Sequence, residues 1–108
     1  INLQGEQPVT SKYQVVVGGV YYDTIQNTSP QDPSYEEYYA LNIPAKVGDE
    51  MQTYDTENSA LWTIANLDSY SVGWQMSGGK IICTEAGNYD FYLKFKYGED
   101  QVYIGKAS

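Results

Sequence analysis

The amino-acid sequence predicts an all-β fold, specifically an antiparallel β-sandwich of immunoglobulin-like type with about seven or eight strands. Short segments alternate apolar and polar residues with a period of two, which is typical of strands with one buried face. Pairs such as Gly-Gly, Gly-Asp and Gly-Asn separate these segments at intervals of about ten residues. No segment shows the 3.6-residue periodicity of a helix.

The N-terminal half begins with a predicted hairpin. Strand-like residues 13–17 and 20–22 flank Gly18-Gly19, a pair suited to a two-residue turn that needs positive φ. The polar segment 24–34 contains two prolines and is predicted to be a surface loop. Residues 35–43 alternate again, with Tyr39, Leu41 and Ile43 expected on the buried face, and Pro44 is expected to end that strand.

The C-terminal half carries the clearest alternation. A turn at 47–49 leads into a strand at 50–54, a polar loop at 55–59 and a further strand at 61–64, whereas residues 66–74 are mixed and left unassigned. Gly78-Gly79 precedes a strand that begins at Lys80. Residues 89–96 and 101–105 form a predicted hairpin around a turn at 97–100. The predicted core residues share the buried face of their strands and are Val15, Leu41, Phe91, Leu93, Phe95, Val102 and Ile104.

Length and charge limit the possible functions. A chain of 108 residues suits one domain, so residues 1–108 are expected to form a single binding module excised from a larger protein. The formal net charge of −8 disfavours nucleic acid and anionic lipid as partners. No apolar run is long enough to span a membrane. The segment Ile1–Gln4 lacks the features of a signal peptide, and we expect a targeting segment to have been removed.

The residues needed for common catalytic and metal sites are missing from the sequence. It contains no histidine and one cysteine, Cys83, so neither a zinc site nor a histidine-activated nucleophile is predicted. We therefore expect no enzymatic activity, no catalytic residues, no metal ligands and no cofactor. The calcium question stays open because loops carry acidic residues, namely Asp23, Asp32, Asp49, Asp55 and Glu57. Cys83 is expected to be a small buried hydrophobic residue.

Aromatic residues supply the candidate binding site. Trp62 and Trp74 are the only tryptophans, and each lies near polar residues. The apolar C–H face of a sugar ring stacks on an aromatic ring, while its hydroxyls need amide or carboxylate partners. The predicted ligand-binding residues are therefore Trp62, Trp74 and Tyr54, with hydrogen bonds from Gln52, Asn58 and Gln75. The alternative is that the tryptophans belong to the core.

A second aromatic patch is predicted on the outer face of the C-terminal hairpin. Tyr92, Tyr103, Lys94 and Lys96 share that face. It could pack against a neighbouring domain, or its side chains could simply pair across a solvated sheet.

The order of these features resembles a known family. Gly48-Asp49 before a strand, then Trp62, then the segment Ala86-Gly87-Asn88-Tyr89-Asp90 and the terminal Val102-Tyr103-Ile104 are similar to β-sandwich starch-binding modules of gut bacterial amylases and surface starch-binding proteins. The resemblance covers about residues 35–105. The N-terminal third departs from it, because Val20-Tyr21-Tyr22-Asp23 follows the first strand where many such modules carry Asn-Gly-Trp.

The resemblance implies non-catalytic binding of starch or a related α-glucan, with Trp62 and either Tyr54 or Trp74 as stacking residues. It also implies an extracellular or cell-surface location and neighbouring domains of a parent protein as partners. The alternative is an immunoglobulin-like structural or adhesive domain of a bacterial surface protein, with protein partners.

Overall fold

The computed structural model describes residues 11–108, which form ten β-strands and no helix. The strands make two antiparallel sheets packed face to face, so the predicted all-β sandwich is confirmed, with more strands than the seven or eight expected. One additional strand lies in the polar segment predicted to be a loop, and another lies at Trp74. Residues 1–10, including Ile1–Gln4 on which the expected targeting segment rests, lie outside the described range.

The first sheet has six strands. These are β1 (Tyr13–Val17), β2 (Val20–Asp23), β5 (Glu50–Asp55), β6 (Ala60–Trp62), β7 (Trp74–Ser77) and β8 (Lys80–Cys83). Their order is β2-β1-β5-β8-β7, and β6 pairs with β5 at one end of the sheet. The predicted Gly18-Gly19 turn is confirmed: both glycines have positive φ, as a tight hairpin that follows the strand twist requires.

The second sheet has four strands and carries the predicted C-terminal hairpin. These are β3 (Ile25–Asn27), β4 (Glu36–Ala45), β9 (Gly87–Lys96) and β10 (Glu99–Lys106), in the order β10-β9-β4-β3. Lys96 pairs with Glu99, so the turn consists of Tyr97 and Gly98 alone and is shorter than predicted. Strand β9 is therefore hydrogen-bonded along both of its edges.

The core lies between the two sheets and contains six of the seven predicted residues. Val15, Phe91, Leu93, Val102 and Ile104 are fully buried, and Phe95 is nearly so. Burying a side chain of this size stabilises the fold by about 1.5–3 kcal/mol. Cys83 is also buried, as expected, and burial raises the pKa of its thiol.

Leu41 is the exception, and its prediction as a core residue is wrong because it is 49% exposed. The register of β4 against β9 shifts between Ala40 and Ile43, which marks a β-bulge. Asn42 adopts a φ of 59° there, and its backbone N–H donates to the Asp90 carboxylate at 2.8 Å. Before the bulge the inward residues are Tyr38 and Ala40, so the expectation that Tyr39 shares the buried face is also wrong. The bulge then reverses the alternation and brings Ile43 inward, as expected.

The unassigned segment 66–74 seals the outer edge of β10. The backbone N–H of Val102 donates to the Asn66 carbonyl at 3.0 Å, and that of Asp68 donates to the Val102 carbonyl at 2.8 Å. Further along, the Ser71 hydroxyl accepts from the Ile104 N–H. These bonds satisfy an edge that would otherwise be open to pairing with another chain, and they hold Asn66 beside β10.

A matched pair of leucine substitutions tests the bulge. Leu93→Ala should lower the free energy of unfolding by about 2–5 kcal/mol because it leaves a cavity in the core. Leu41→Ala should change it by less than about 0.5 kcal/mol because the side chain is exposed. Chemical denaturation measures both values. Equal losses would show that Leu41 is buried and that the bulge is misplaced.

Candidate functional site

Trp62 lies at one end of the sandwich, with only part of its surface covered. It is the last residue of β6, a strand of three residues, and it pairs with the buried Thr53, which directs the indole toward the interior side of the sheet. The rings of Tyr13 and Phe95 pack against it with centroids 6.2 Å away in both cases. Because β6 ends the sheet here, the indole is held by the core yet remains half-buried.

A groove of about 500 Å³ opens beside the indole. Its lining residues are Trp62, Thr63, Ala65, Asn66, Gly98, Glu99 and Asp100. One wall is the segment that follows β6, and the other is the turn between β9 and β10. We call it the Trp62 groove. It combines one aromatic face with amide, hydroxyl and carboxylate groups.

Asp100 is an acidic residue on the face of β10 that carries core side chains. It pairs with the buried Phe95 and shares its face of β10 with Val102 and Ile104. Burial raises the pKa of its carboxyl. Among residues 11–108 the Asp100 side chain makes neither a hydrogen bond nor an ion pair, so its carboxylate can accept hydrogen bonds from a ligand in the groove.

Trp74 does not belong to this groove, and the prediction that it forms an exposed platform with Trp62 is wrong. Its side chain is 6% exposed and packs edge-on against Tyr89 and Phe91, with centroids 5.6 and 5.5 Å away. It pairs with the buried Cys83, which fixes its inward direction. Gln75 and Ser77, which suggested a wet surface, lie in the same strand but on its opposite face.

The remaining predicted residues of β5 and β7 lie on the outer face of the six-stranded sheet. Met51 and Thr53 are fully buried, so Gln52 and Tyr54 point outward, as alternation predicts. Tyr54 packs edge-on against Tyr21, with centroids 5.3 Å apart. Gln75 is on the same outer face at the far strand β7, where it pairs with Ile82. The structure therefore does not bring Gln52, Tyr54 or Gln75 together with Trp62.

Asn58 stabilises the turn between β5 and β6. Its amide donates to Asp55 Oδ2 at 2.8 Å, and its backbone N–H donates to Oδ1 at 3.1 Å. Together with the N–H of Glu57, these bonds lower the pKa of the Asp55 carboxyl. Within residues 11–108, no group of three cysteine or acidic side chains is arranged to hold a metal ion.

Sequence reasoning missed Thr63, Asn66 and Asp100. Asn66 lies in the segment that showed no clear pattern, and its place beside the groove depends on the long-range pairing with Val102. Asp100 carried a detectable signal, because it precedes Val102 and Ile104 at intervals of two. A carboxylate on the buried face of a strand is uncommon unless it has a partner or a role.

No family model matches this chain, and no match is found among curated proteins or among solved structures. In the part of the chain that the structure describes, no helix is both long and apolar enough to cross a membrane. The functional interpretation therefore rests on the chemistry of the surfaces described above.

Tryptophan fluorescence distinguishes the two indoles. Trp74→Phe leaves only Trp62, whose emission should be more red-shifted and more strongly quenched by acrylamide than that of Trp74, because its ring is partly exposed. Trp62→Phe leaves only Trp74, whose emission should be blue-shifted and protected. Equal quenching constants in the two folded variants would contradict this placement.

Asp100→Asn should raise the melting temperature at neutral pH. Burial raises the folded-state pKa of Asp100, so its ionised form destabilises the fold at any pH above that pKa. The penalty fades as the pH falls through the folded pKa, and the gain from the substitution should shrink accordingly.

Asp55→Asn should lower the melting temperature at neutral pH, the opposite of Asp100→Asn, because hydrogen bonds lower the pKa of Asp55. Its ionised form stabilises the fold above the unfolded pKa, and that contribution is lost as the pH falls through the folded pKa. Thermal denaturation of both variants from neutral to acidic pH measures the two trends. A melting temperature for Asp100→Asn that is lowered at neutral pH would contradict the burial of its charge.

Proposed function

We propose that this chain is a non-catalytic carbohydrate-binding module that holds a neutral polysaccharide in the Trp62 groove, with α-glucan as the leading candidate. The observation that carries this proposal is a partly exposed indole in the same groove as Asn66 and as the Asp100 carboxylate, which has no hydrogen-bond partner among residues 11–108. These are the two components that a sugar ring requires, an aromatic face and planar polar partners.

The indole supplies stacking. The C–H groups on one face of a pyranose pack against the electron-rich ring, which contributes on the order of 1 kcal/mol beyond the area buried. Tyr13 and Phe95 hold the indole from its covered side, so little side-chain entropy is lost when a sugar binds.

Polar groups supply orientation. A carboxylate accepts hydrogen bonds from two neighbouring hydroxyls, and an amide both donates and accepts. Bonds to an ionised acceptor are stronger than neutral ones, which makes Asp100 the principal polar contact in the proposal. The net charge of −8 is compatible with a neutral polymer and would repel an acidic one.

The placement of the acidic residues supports binding rather than hydrolysis. A glycosidase needs two carboxylates that flank the scissile bond. Glu99 and Asp100 are consecutive in a strand, so their side chains project toward opposite faces. The Glu99 carboxylate also accepts a hydrogen bond from the Tyr35 hydroxyl at 3.1 Å.

A small groove implies modest affinity for each module. We therefore propose that neighbouring domains of a parent protein supply avidity, and that the module works outside the cell, where polysaccharides are encountered. The alternative, a structural or adhesive domain with protein partners, predicts no saccharide dependence at all.

Affinity gel electrophoresis in soluble starch, glycogen and an unrelated β-glucan tests the proposal. Trp62→Ala, Asp100→Ala and Asn66→Ala should each weaken retardation in an α-glucan gel by roughly fivefold or more, the effect of about 1 kcal/mol. Tyr70→Ser is the control, because Tyr70 is highly exposed and does not line the groove. Parent-like retardation of all three folded groove variants would refute the site, and no retardation of the parent in any polysaccharide would refute the function.

A further inference from the structure

The outer face of the four-stranded sheet carries a row of aromatic residues in register. Tyr103 of β10 lies directly opposite Tyr92 of β9, and Tyr92 lies directly opposite Tyr39 of β4. On the last strand, Ile25 continues the row opposite Tyr39 and is 57% exposed. We call Tyr39, Tyr92 and Tyr103 the tyrosine row. The sequence pattern had paired Tyr92 with Tyr103 on this face, and the structure confirms that pair and adds the third ring.

The three rings have similar orientations. The Tyr92 and Tyr103 planes differ by 29° with centroids 5.8 Å apart, and the Tyr39 and Tyr92 planes differ by 33° with centroids 6.4 Å apart. Such spacings are typical of offset rings rather than of face-to-face contact. The row therefore forms a continuous aromatic surface across three strands.

Gly105 allows the last ring to lie against the sheet. A Cβ atom at this position would approach the Tyr103 hydroxyl to 2.9 Å and two ring carbons to 3.2 and 3.3 Å. The Tyr103 ring thus leans along β10 over the glycine backbone instead of projecting into solvent. One of its faces covers Gly105, and Tyr103 remains 37% exposed.

A polar row runs beside the tyrosine row. Two residues along each strand, on the same face, lie Gln101, Lys94, Glu37 and Asn27, again in register. The Asn27 amide donates to Glu37 at 2.9 Å, and Lys94 Nζ lies 4.8 Å from the centre of the Tyr35 ring. Members of the two rows line a shared depression of about 490 Å³. The surface thus offers aromatic faces flanked by two amides, one ammonium and two carboxylates, because Asp68 also lines the depression.

We propose that the tyrosine row is a second polysaccharide-binding surface, separate from the Trp62 groove, across which an extended segment of a neutral polysaccharide lies on Tyr39, Tyr92 and Tyr103. This second proposal rests on the proposed function only for the class of ligand, and the residues that carry it are different. Hydroxyls of the polymer bond to the polar row, and the two carboxylates of the depression against one ammonium favour a neutral polymer over an acidic one.

The charge of the chain argues against a second copy as the occupant of this face. Each copy carries a net charge of −8, so pairing two identical faces brings like charges together, whereas a neutral polymer meets no such repulsion. The Tyr92 hydroxyl also stays a protonated donor at neutral pH. Burial and the nearby Asp90 raise the pKa of Tyr92 above its ordinary value.

Two surfaces make the module bivalent. The tyrosine row lies on the outer face of the four-stranded sheet, whereas the Trp62 groove opens between the end of β6 and the turn that joins β9 to β10. One module can therefore contact one polymer at two points or join two polymer chains. Binding through two linked sites increases the overall avidity.

The test compares single and combined variants of the described fold in α-glucan and β-glucan affinity gels, with melting curves to confirm folding. Tyr92→Thr and Tyr103→Thr keep a strand-forming residue and should each weaken retardation by about fivefold. Tyr92→Phe, which keeps the ring, should stay within about twofold of the parent. Combining Tyr92→Thr with Trp62→Ala should abolish retardation. Tyr70→Ser is the control, because Tyr70 is highly exposed and lines neither the depression beside the tyrosine row nor the Trp62 groove.

The outcomes separate the two sites. Retardation of Tyr92→Thr and Tyr103→Thr equal to the parent, with Trp62→Ala impaired, would overturn the tyrosine row and leave the proposed function standing. The reverse result would support the tyrosine row and overturn the Trp62 groove. A parent that sediments as a dimer, and becomes a monomer on Tyr103→Thr with unchanged saccharide binding, would overturn the inference and identify the face as a contact between copies. Tyr103 lies on β10, the outermost strand of its sheet, where a substitution disturbs fewer neighbours than in the central β9. Its variant therefore remains informative if Tyr92→Thr fails to fold.

Discussion

The two-sided pairing of β9 is the constraint on which the other features depend. Both of its edges are hydrogen-bonded, so its register fixes the direction of every side chain along it. Its inward side chains include Phe91, which supports Trp74, and Phe95, which supports Trp62. Its outward Tyr92 is the centre of the tyrosine row. One slip of register would exchange these faces and remove the core and both candidate sites together.

The two tryptophans illustrate how the same side chain serves two purposes. Trp74 lies in a strand paired with β8 and is covered by the opposite sheet. Trp62 also faces inward, but its strand is three residues long, and Phe95 of the opposite sheet covers only part of the indole. Position along the sandwich, rather than strand parity, decides which indole stays partly exposed.

Polar groups near the core follow a similar rule. Asp90 is buried but accepts the Asn42 N–H, and it thereby stabilises the bulge in β4. Asp100 lies on the same face of β10 as the buried Val102 and Ile104, yet its carboxylate makes no such bond among residues 11–108. A buried carboxylate with a backbone partner contributes to the fold, whereas one that faces a groove without a partner is available for a ligand.

Periodicity in the sequence determined the all-β class, the two hairpins at Gly18-Gly19 and Tyr97-Gly98, and six of the seven predicted core residues, because alternation and turn chemistry are local properties. The strand count, the exposure of Leu41, the burial of Trp74 and the assembly of the Trp62 groove were decided only by tertiary structure. These features depend on residues that are distant in sequence: the bulge in β4, the position at which a sheet ends, and the pairing of Asn66 with Val102. Local patterns specify which face of a strand a residue occupies, and only the packing of the second sheet decides whether that face is covered.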